Sequence, residues 1–122
     1  MKLTNNEIYS YAIAMSEAFN DNTQRLPVKV NFYIQKNKAT LMSLGQDIEN
    51  ARMEIIQTFG VLSDKENQYI IPVEKVEEAQ KELNDLLALE QDVNIYKVNI
   101  EDFPEDICLT TGQMEALMFM IE

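Results

Sequence analysis

Val30, Ile34, Leu41, Leu44, Ile48, Ala51 and Ile55 recur in three-four alternation, with polar Asn37 and Thr58 completing the series. Residues three and four apart share one side of a helix, so this spacing makes a long helix whose apolar seam must lie against another helix. Pro27 fits its first turn, where the missing N–H removes no internal bond. Gly60 supplies a stop, because glycine accepts the left-handed conformation common at helix ends. The helix is therefore predicted over 27–59, about 33 residues and roughly 50 Å long. Gly45 lies inside it, where glycine costs about 1 kcal/mol relative to alanine. That residue implies close helix packing or a gentle bend, with a break into two helices as the alternative.

The flanking segments read as shorter elements. Thr4 and Glu7 form a capping box, and Ile8, Tyr11, Ala12, Met15, Ala18 and Phe19 follow at helical spacing, giving a helix over 5–19. The turn formers Asn20, Asp21, Asn22 and Thr23 end it. Asp64, Lys65, Glu66 and Asn67 make a second polar turn, before a short strand at Tyr69–Ile71 closed by Pro72. A third helix begins near Val73 and ends near Glu90, with Val76, Ala79, Leu83, Leu86 and Leu87 on one face. The short linker pairs it antiparallel with the later half of the long helix. The earlier half then needs cover from the first helix, the last helix or another subunit. Residues 93–100 alternate in two phases with a shift near Tyr96, the pattern of a strand with a bulge, and Ile107–Leu109 suits a returning strand. Thr110 and Gln113 form another capping box, opening a helix through Ile121 whose stripe is Met114, Leu117, Met118 and Ile121, widened by Phe119 and Met120. Such an apolar end is either buried or faces another subunit. The fold class expected is mainly α with a small β part (α+β). It is a single domain over 1–122, a long antiparallel helical hairpin with flanking N- and C-terminal helices and a small β-hairpin or short sheet.

Composition narrows the chemistry. The chain has no histidine and one cysteine, which removes Ser-His and Cys-His catalysis, most zinc sites and an intrachain disulfide. Cys108, between Ile107 and Leu109, reads as a small core residue. No run approaches the ~20 apolar residues of a membrane span. Met1-Lys2-Leu3-Thr4 leads directly into helix signals, so no leader is expected and the setting implied is cytosolic. Residues 1–45 hold Lys2, Arg25, Lys29, Lys36 and Lys38 against Glu7, Glu17 and Asp21, a balance of +2 within a total of −11, leaving −13 on the remainder. That acidic remainder repels phosphate backbones, so direct nucleic-acid binding is not expected, while a basic protein partner or an acidic surface imitating nucleic acid stays open.

Three clusters merit weighing as sites. Glu74, Glu77 and Glu78 share a helix face without the glycine or loop of an oxygen-rich metal site, and read as solvated surface. Asp102, Glu105 and Asp106 beside Pro104 are explained by loop solvation, or by recognition of a basic partner. Arg25, Lys29, Phe32, Tyr33 and Lys36 bring cations and aromatic rings together at the start of the long helix, where an anionic ligand or a partner would meet them first. Gly45, Gly60 and Gly112 lie too far apart for a phosphate loop. Asn37 takes a seam position where a buried polar residue fixes register and oligomer state, unless the neighbouring helix has ended and it faces solvent. With Leu41, Met114, Leu117, Met118 and Ile121 it makes the candidate self-association set. No metal or cofactor is implied.

Lys2–Ile8, Leu26–Phe32, the ending Leu109–Glu122 and, in the middle, Val93–Val98 together resemble a widespread family of small phage and prophage proteins of Gram-positive hosts, a domain family of unknown function. The likeness covers most of the chain and includes no catalytic motif. It implies a phage context, the cytoplasm of the bacterial host, and action by binding rather than catalysis. One expectation is an inhibitor that binds a host protein or sequesters a host signal, through the acidic half or the cation and aromatic segment. The other is an assembly or virion-associated protein using the seam and apolar end to oligomerise. Homo-oligomerisation is expected under both, and an enzymatic role under neither.

Overall fold

A computed structural model describes residues 1–19, 26–63 and 68–122. The turns expected at Asn20–Thr23 and Asp64–Asn67, and the candidate Arg25, lie outside the described residues. The elements run β1 (Lys2–Thr4), α1 (Asn5–Ala18), α2 (Val28–Phe59), β2 (Val61–Leu62), β3 (Tyr69–Ile70), α3 (Val76–Ala88), β4 (Glu90–Asp92) and α4 (Thr111–Leu117). Tight 3₁₀ turns at Val73–Lys75, Ile100–Asp102 and Met118–Met120 join or extend them. The chain is mainly helical, with two small antiparallel sheets, β1–β4 and β2–β3.

Local chemistry sets the starts of α1 and α4. The Thr4 hydroxyl accepts from the Glu7 N–H at 3.1 Å while the Thr4 N–H donates to the Glu7 carboxylate at 3.0 Å. Thr110 and Gln113 repeat the exchange at 3.1 and 3.0 Å. Each box satisfies donors that the first helical turn leaves without internal partners.

The seam of α2 is covered within one chain. Val30, Ile34, Asn37, Leu41, Gly45 and Ile48 are buried, with Gly45 against Ala12 of α1 and Asn37 against Tyr96 and Met120, while Leu44, Ala51 and Ile55 are half-buried. Gly45 sits in an unbroken helix with its Cα facing Ala12, the close packing expected of it. Thr58 is exposed, its hydroxyl donating to the Glu54 carbonyl at 2.8 Å. The α2 stop at Gly60 works differently from the expectation. Its φ of −95° is extended backbone, and what favours glycine is space, since a Cβ there would lie 2.6 Å from the Ile56 carbonyl oxygen.

The β assignments are the main correction. Residues 93–100 form no ladder, and Ile107–Leu109 form no strand. The strand is the polar segment just before them, with Lys2, Leu3 and Thr4 opposite Asp92, Gln91 and Glu90. The apolar segment instead threads between α2 and the chain end. Asn37 brackets the Tyr96 peptide, its Nδ2 donating to the Tyr96 carbonyl at 2.8 Å and its Oδ1 accepting the Tyr96 N–H at 2.9 Å. Two residues on, the Val98 N–H donates to the Met120 carbonyl at 2.9 Å and the Glu122 N–H to the Val98 carbonyl at 2.8 Å. The backbone groups of Tyr96 and Val98 thus find partners without a sheet. The inward phase shifts from Val93 and Ile95 to Val98, the irregularity legible near Tyr96.

The inward face of α4 is also rotated from expectation. Gln113, Ala116, Leu117 and Met120 turn inward, whereas Met114 and Met118 are exposed and Ile121 is half-buried. Gln113 is drawn in because its Nε2 donates to the Ala18 carbonyl at 3.2 Å, at the open C-terminal end of α1. Lys38 caps the same end, its Nζ donating to the Phe19 carbonyl at 3.1 Å. Both supply donors where a helix ends in unpaired carbonyls and partial negative charge. Past Leu117 the helix tightens to 3₁₀ geometry, which advances each side chain further round the axis and brings Met120 inward in place of Met118. Phe119 stacks on Tyr11 with ring centroids 4.7 Å apart, fastening the tail to α1. Cys108, expected in the core, is exposed, because the segment carrying it crosses the surface without pairing into a sheet.

Candidate functional site

The first three turns of α2 carry Lys29, Phe32, Tyr33 and Lys36 at offsets of three and four, so helix geometry alone gathers them on one side. The inward side of the same turns is Val30, Ile34 and Asn37, which leaves the cations and Phe32 facing out and Tyr33 half-buried against the core. Phe32 is 51% exposed, and Val28, just before it, is 86% exposed. The Lys36 ammonium stands 5.5 Å from the centre of the Phe32 ring and the Lys29 ammonium 5.9 Å from that of Tyr33, both within cation–π range.

Tertiary structure adds two groups from elsewhere. Tyr96 places its ring 5.1 Å from that of Tyr33 at an angle of 32°, held there by the Asn37 bracket on its own peptide. Phe32 and Tyr33 are 6.2 Å apart, so three rings lie in series along the face. Asp102 reaches Lys29, its Oδ2 3.5 Å from the ammonium nitrogen. The same carboxylate accepts the Asn99 N–H at 2.9 Å, closing the 3₁₀ turn at Ile100–Asp102. Asp102 therefore has a task separate from Glu105 and Asp106. As a partly exposed pair at 3.5 Å, the Lys29–Asp102 contact contributes about 1 kcal/mol or less, so a stronger anion can displace it.

The arrangement offers two ammonium heads beside three aromatic rings. It suits a carboxylate or phosphate carried next to an apolar or aromatic group, and it includes no nucleophile held against a base. The most connected carboxylate elsewhere is Glu49. It accepts from Arg52 Nη2 at 2.6 Å and Nε at 2.9 Å, and from the Tyr9 hydroxyl at 3.1 Å. Its pKa is lowered chiefly by the Arg52 hydrogen bonds, which outweigh the opposing effect of burial, with a lesser lowering from the Tyr9 hydrogen bond. It is thus held ionised, as a structural tie between α1 and α2. Among the described residues no group of three or more His, Cys, Asp or Glu side chains is placed to hold a metal ion. None of the described helices is long and apolar enough to cross a membrane.

The candidate self-association set divides in the structure. Asn37, Leu41 and Leu117 have no exposed surface, because the chain's own core covers them, so they offer nothing for a second copy to touch. Met114 and Met118 remain outside, at 57% and 70% exposure. Sequence reasoning missed Tyr96 as a member of the cation and aromatic face. Asn37 was the available signal, since a buried amide on a helix seam needs partners, and an extended backbone supplies a donor and an acceptor at the right separation. The chain matches no family model, no curated protein and no solved structure.

Proposed function

We propose that this chain is a non-enzymatic phage or prophage accessory protein that acts by binding, as an inhibitor or sequestering protein directed at a host factor in the bacterial cytoplasm. The working surface is the face of Lys29, Phe32, Tyr33, Lys36 and Tyr96. The resemblance to the phage and prophage family supports the setting, and the face supports the mode of action. One observation carries the reading: on a chain of net charge −11, two ammonium heads, exposed Phe32 and half-buried Tyr33 share one side of α2, with Tyr96 from another segment beside them. Aromatic rings such as Tyr33 and Tyr96 are among the side chains that dominate binding energy, and the flanking lysines add steering toward an acidic partner. The partner is a protein offering carboxylates around an apolar centre, and nucleic-acid backbones are disfavoured by the charge of the remainder.

The test is affinity capture from phage-infected host lysate with the wild type and with the double variant Lys29→Glu, Lys36→Glu, with bound proteins identified by mass spectrometry. A host protein recovered by the wild type and lost by the folded variant is expected. Identical recovery by both removes the face from the function. Recovery of tail or capsid proteins favours the second reading, a virion assembly role, which the exposed Met114 and Met118 support.

A further inference from the structure

The last two turns of α2 run past the start of α1. Tyr9 reaches Glu49 and Ala12 faces Gly45, so Asn5, one turn before Tyr9, lies about level with Arg52. Beyond that level α2 keeps its apolar seam, and α3 packs along it. The two helices leave an open hollow of about 370 Å³ between them, lined by Ala51, Glu54, Ile55, Thr58 and Phe59 of α2 and Glu82 of α3. Ala51, Ile55 and Phe59 are half-buried and make an apolar floor, while Glu54 and Glu82, one from each helix, are exposed beside it.

We infer that this hollow seats a basic amphipathic helix of a partner protein, at a surface separate from the cation and aromatic face near the start of α2. Helical spacing lengthens each rim. Glu78 and Asp85 stand four before and three after Glu82, and Asp47 stands seven before Glu54, so carboxylates flank the hollow along roughly 20 Å. None of these five has an ion-pair partner among the described residues. The nearby cations do not cancel them. Arg52 is tied to Glu49, Lys75 stands at one end, where α3 begins, and Lys81 is turned roughly 100° round α3 from Glu82. With every charge counted, 47–59 and 73–88 hold eight carboxylates against Arg52, Lys75 and Lys81, a balance of −5. The turn at 64–67 carries Asp64, Lys65 and Glu66, so it adds no net positive charge. A groove between two packed helices accepts the ridge of a third. Apolar side chains one turn apart meet the floor, and Lys or Arg on both flanks of that stripe meet the two rims.

The probe is a fluorescein-labelled peptide of about 14 residues, with leucines at three-four spacing and lysines on both flanks, compared with a scrambled peptide of the same composition. Fluorescence anisotropy should give saturable binding at about 1–50 µM, at least about tenfold tighter than the scramble. Thr58→Trp fills the hollow from an exposed position without changing the charge, and should weaken binding by about tenfold or more. Glu54→Gln with Glu82→Gln should weaken it about three- to tenfold. Glu105→Gln with Asp106→Asn removes the same charge from exposed positions elsewhere, and should leave it within about twofold. Lys29→Glu with Lys36→Glu should retain it, which keeps this surface distinct from the first. Circular dichroism checks each fold. Should Thr58→Trp fail to fold, amide shifts of the wild type on adding peptide replace it, and these should cluster at 51–59 and 78–85. Equal binding of the scramble, or equal weakening by the Glu105 and Asp106 changes, means general attraction to an acidic chain and overturns the inference. So do binding that Thr58→Trp leaves untouched, shifts that cluster elsewhere, and the absence of saturable binding. A dimer of the protein alone that Thr58→Trp breaks also overturns it, because the occupant is then a second copy.

Discussion

Replacing Asn37 with alanine takes away both hydrogen bonds that hold Tyr96 to α2 and leaves a small void where the amide stood. The side chain has no exposed surface, and its bonds to the Tyr96 peptide measure 2.8 and 2.9 Å. A third contact, 3.4 Å from Nδ2 to the Met120 sulfur, is weaker. Two neutral hydrogen bonds contribute about 1 kcal/mol each, and the void with its stranded peptide groups adds about 1 kcal/mol more, so the loss is about 2–4 kcal/mol. For a domain of this size that lowers Tm by roughly 8–16 °C. Urea denaturation gives the global figure, and hydrogen exchange at the Tyr96 amide gives the local one, which should quicken by more than the neighbouring α1 amides do. Asn37→Asp sharpens the test, because it keeps the shape and replaces the donor to the Tyr96 carbonyl with an oxygen. Burial and the facing carbonyl raise the folded-state pKa of the new carboxyl above its unfolded value, so its protonated form supports folding at low pH. That support fades as pH rises through the folded pKa, leaving the variant weakest at neutral pH. An alanine variant with an unchanged urea midpoint and unchanged Tyr96 exchange would refute the bracket as the tie for this segment.

Gly45 and Gly60 should respond to alanine in opposite directions. Gly45→Ala puts a Cβ 3.5 Å from that of Ala12, an ordinary contact, and should stabilise by about 0.5–1 kcal/mol through helix propensity. Gly60→Ala sets a Cβ 2.6 Å from the Ile56 carbonyl oxygen and should destabilise by about 1–3 kcal/mol; thermal melts of both check the signs. Thr4→Ala removes one capping box and should cost about 1 kcal/mol, seen as fraying of the first turn of α1 in amide exchange. Arg52→Gln should move the Glu49 titration, followed by carboxyl carbon NMR, up toward the ordinary carboxylate range. In the wild type the folded pKa is depressed, so its contribution is present above the unfolded pKa and lost as pH falls through the folded one. The variant should therefore show a shallower loss of stability on acidification.

Features that depend on residues a few positions apart were legible in the chain before any fold was known. Thr4 with Glu7 and Thr110 with Gln113 began helices where they stand, because a cap and its partner are local. The seam from Val30 to Ile48 named its buried side, and Lys29, Phe32, Tyr33 and Lys36 shared a face through helical spacing alone. Tertiary structure decided everything whose partner is distant in the chain. The polar triplet Glu90, Gln91 and Asp92 shows no strand periodicity and pairs only because α1 and α3 bring Lys2–Thr4 alongside it. The buried Asn5 amide, which donates to the Leu86 carbonyl at 2.8 Å and accepts from Gln91 at 2.7 Å, likewise found partners no local pattern indicates. Gln113 turned inward, and Met114 and Met118 outward, because an open helix end at Ala18 offered the amide a carbonyl and the last turn tightened. Tyr96 joined the cation and aromatic face through Asn37 on another element. Periodicity records which side of a helix is apolar, whereas hydrogen-bond satisfaction across the fold decides where the polar exceptions go, and those exceptions position the proposed binding surface.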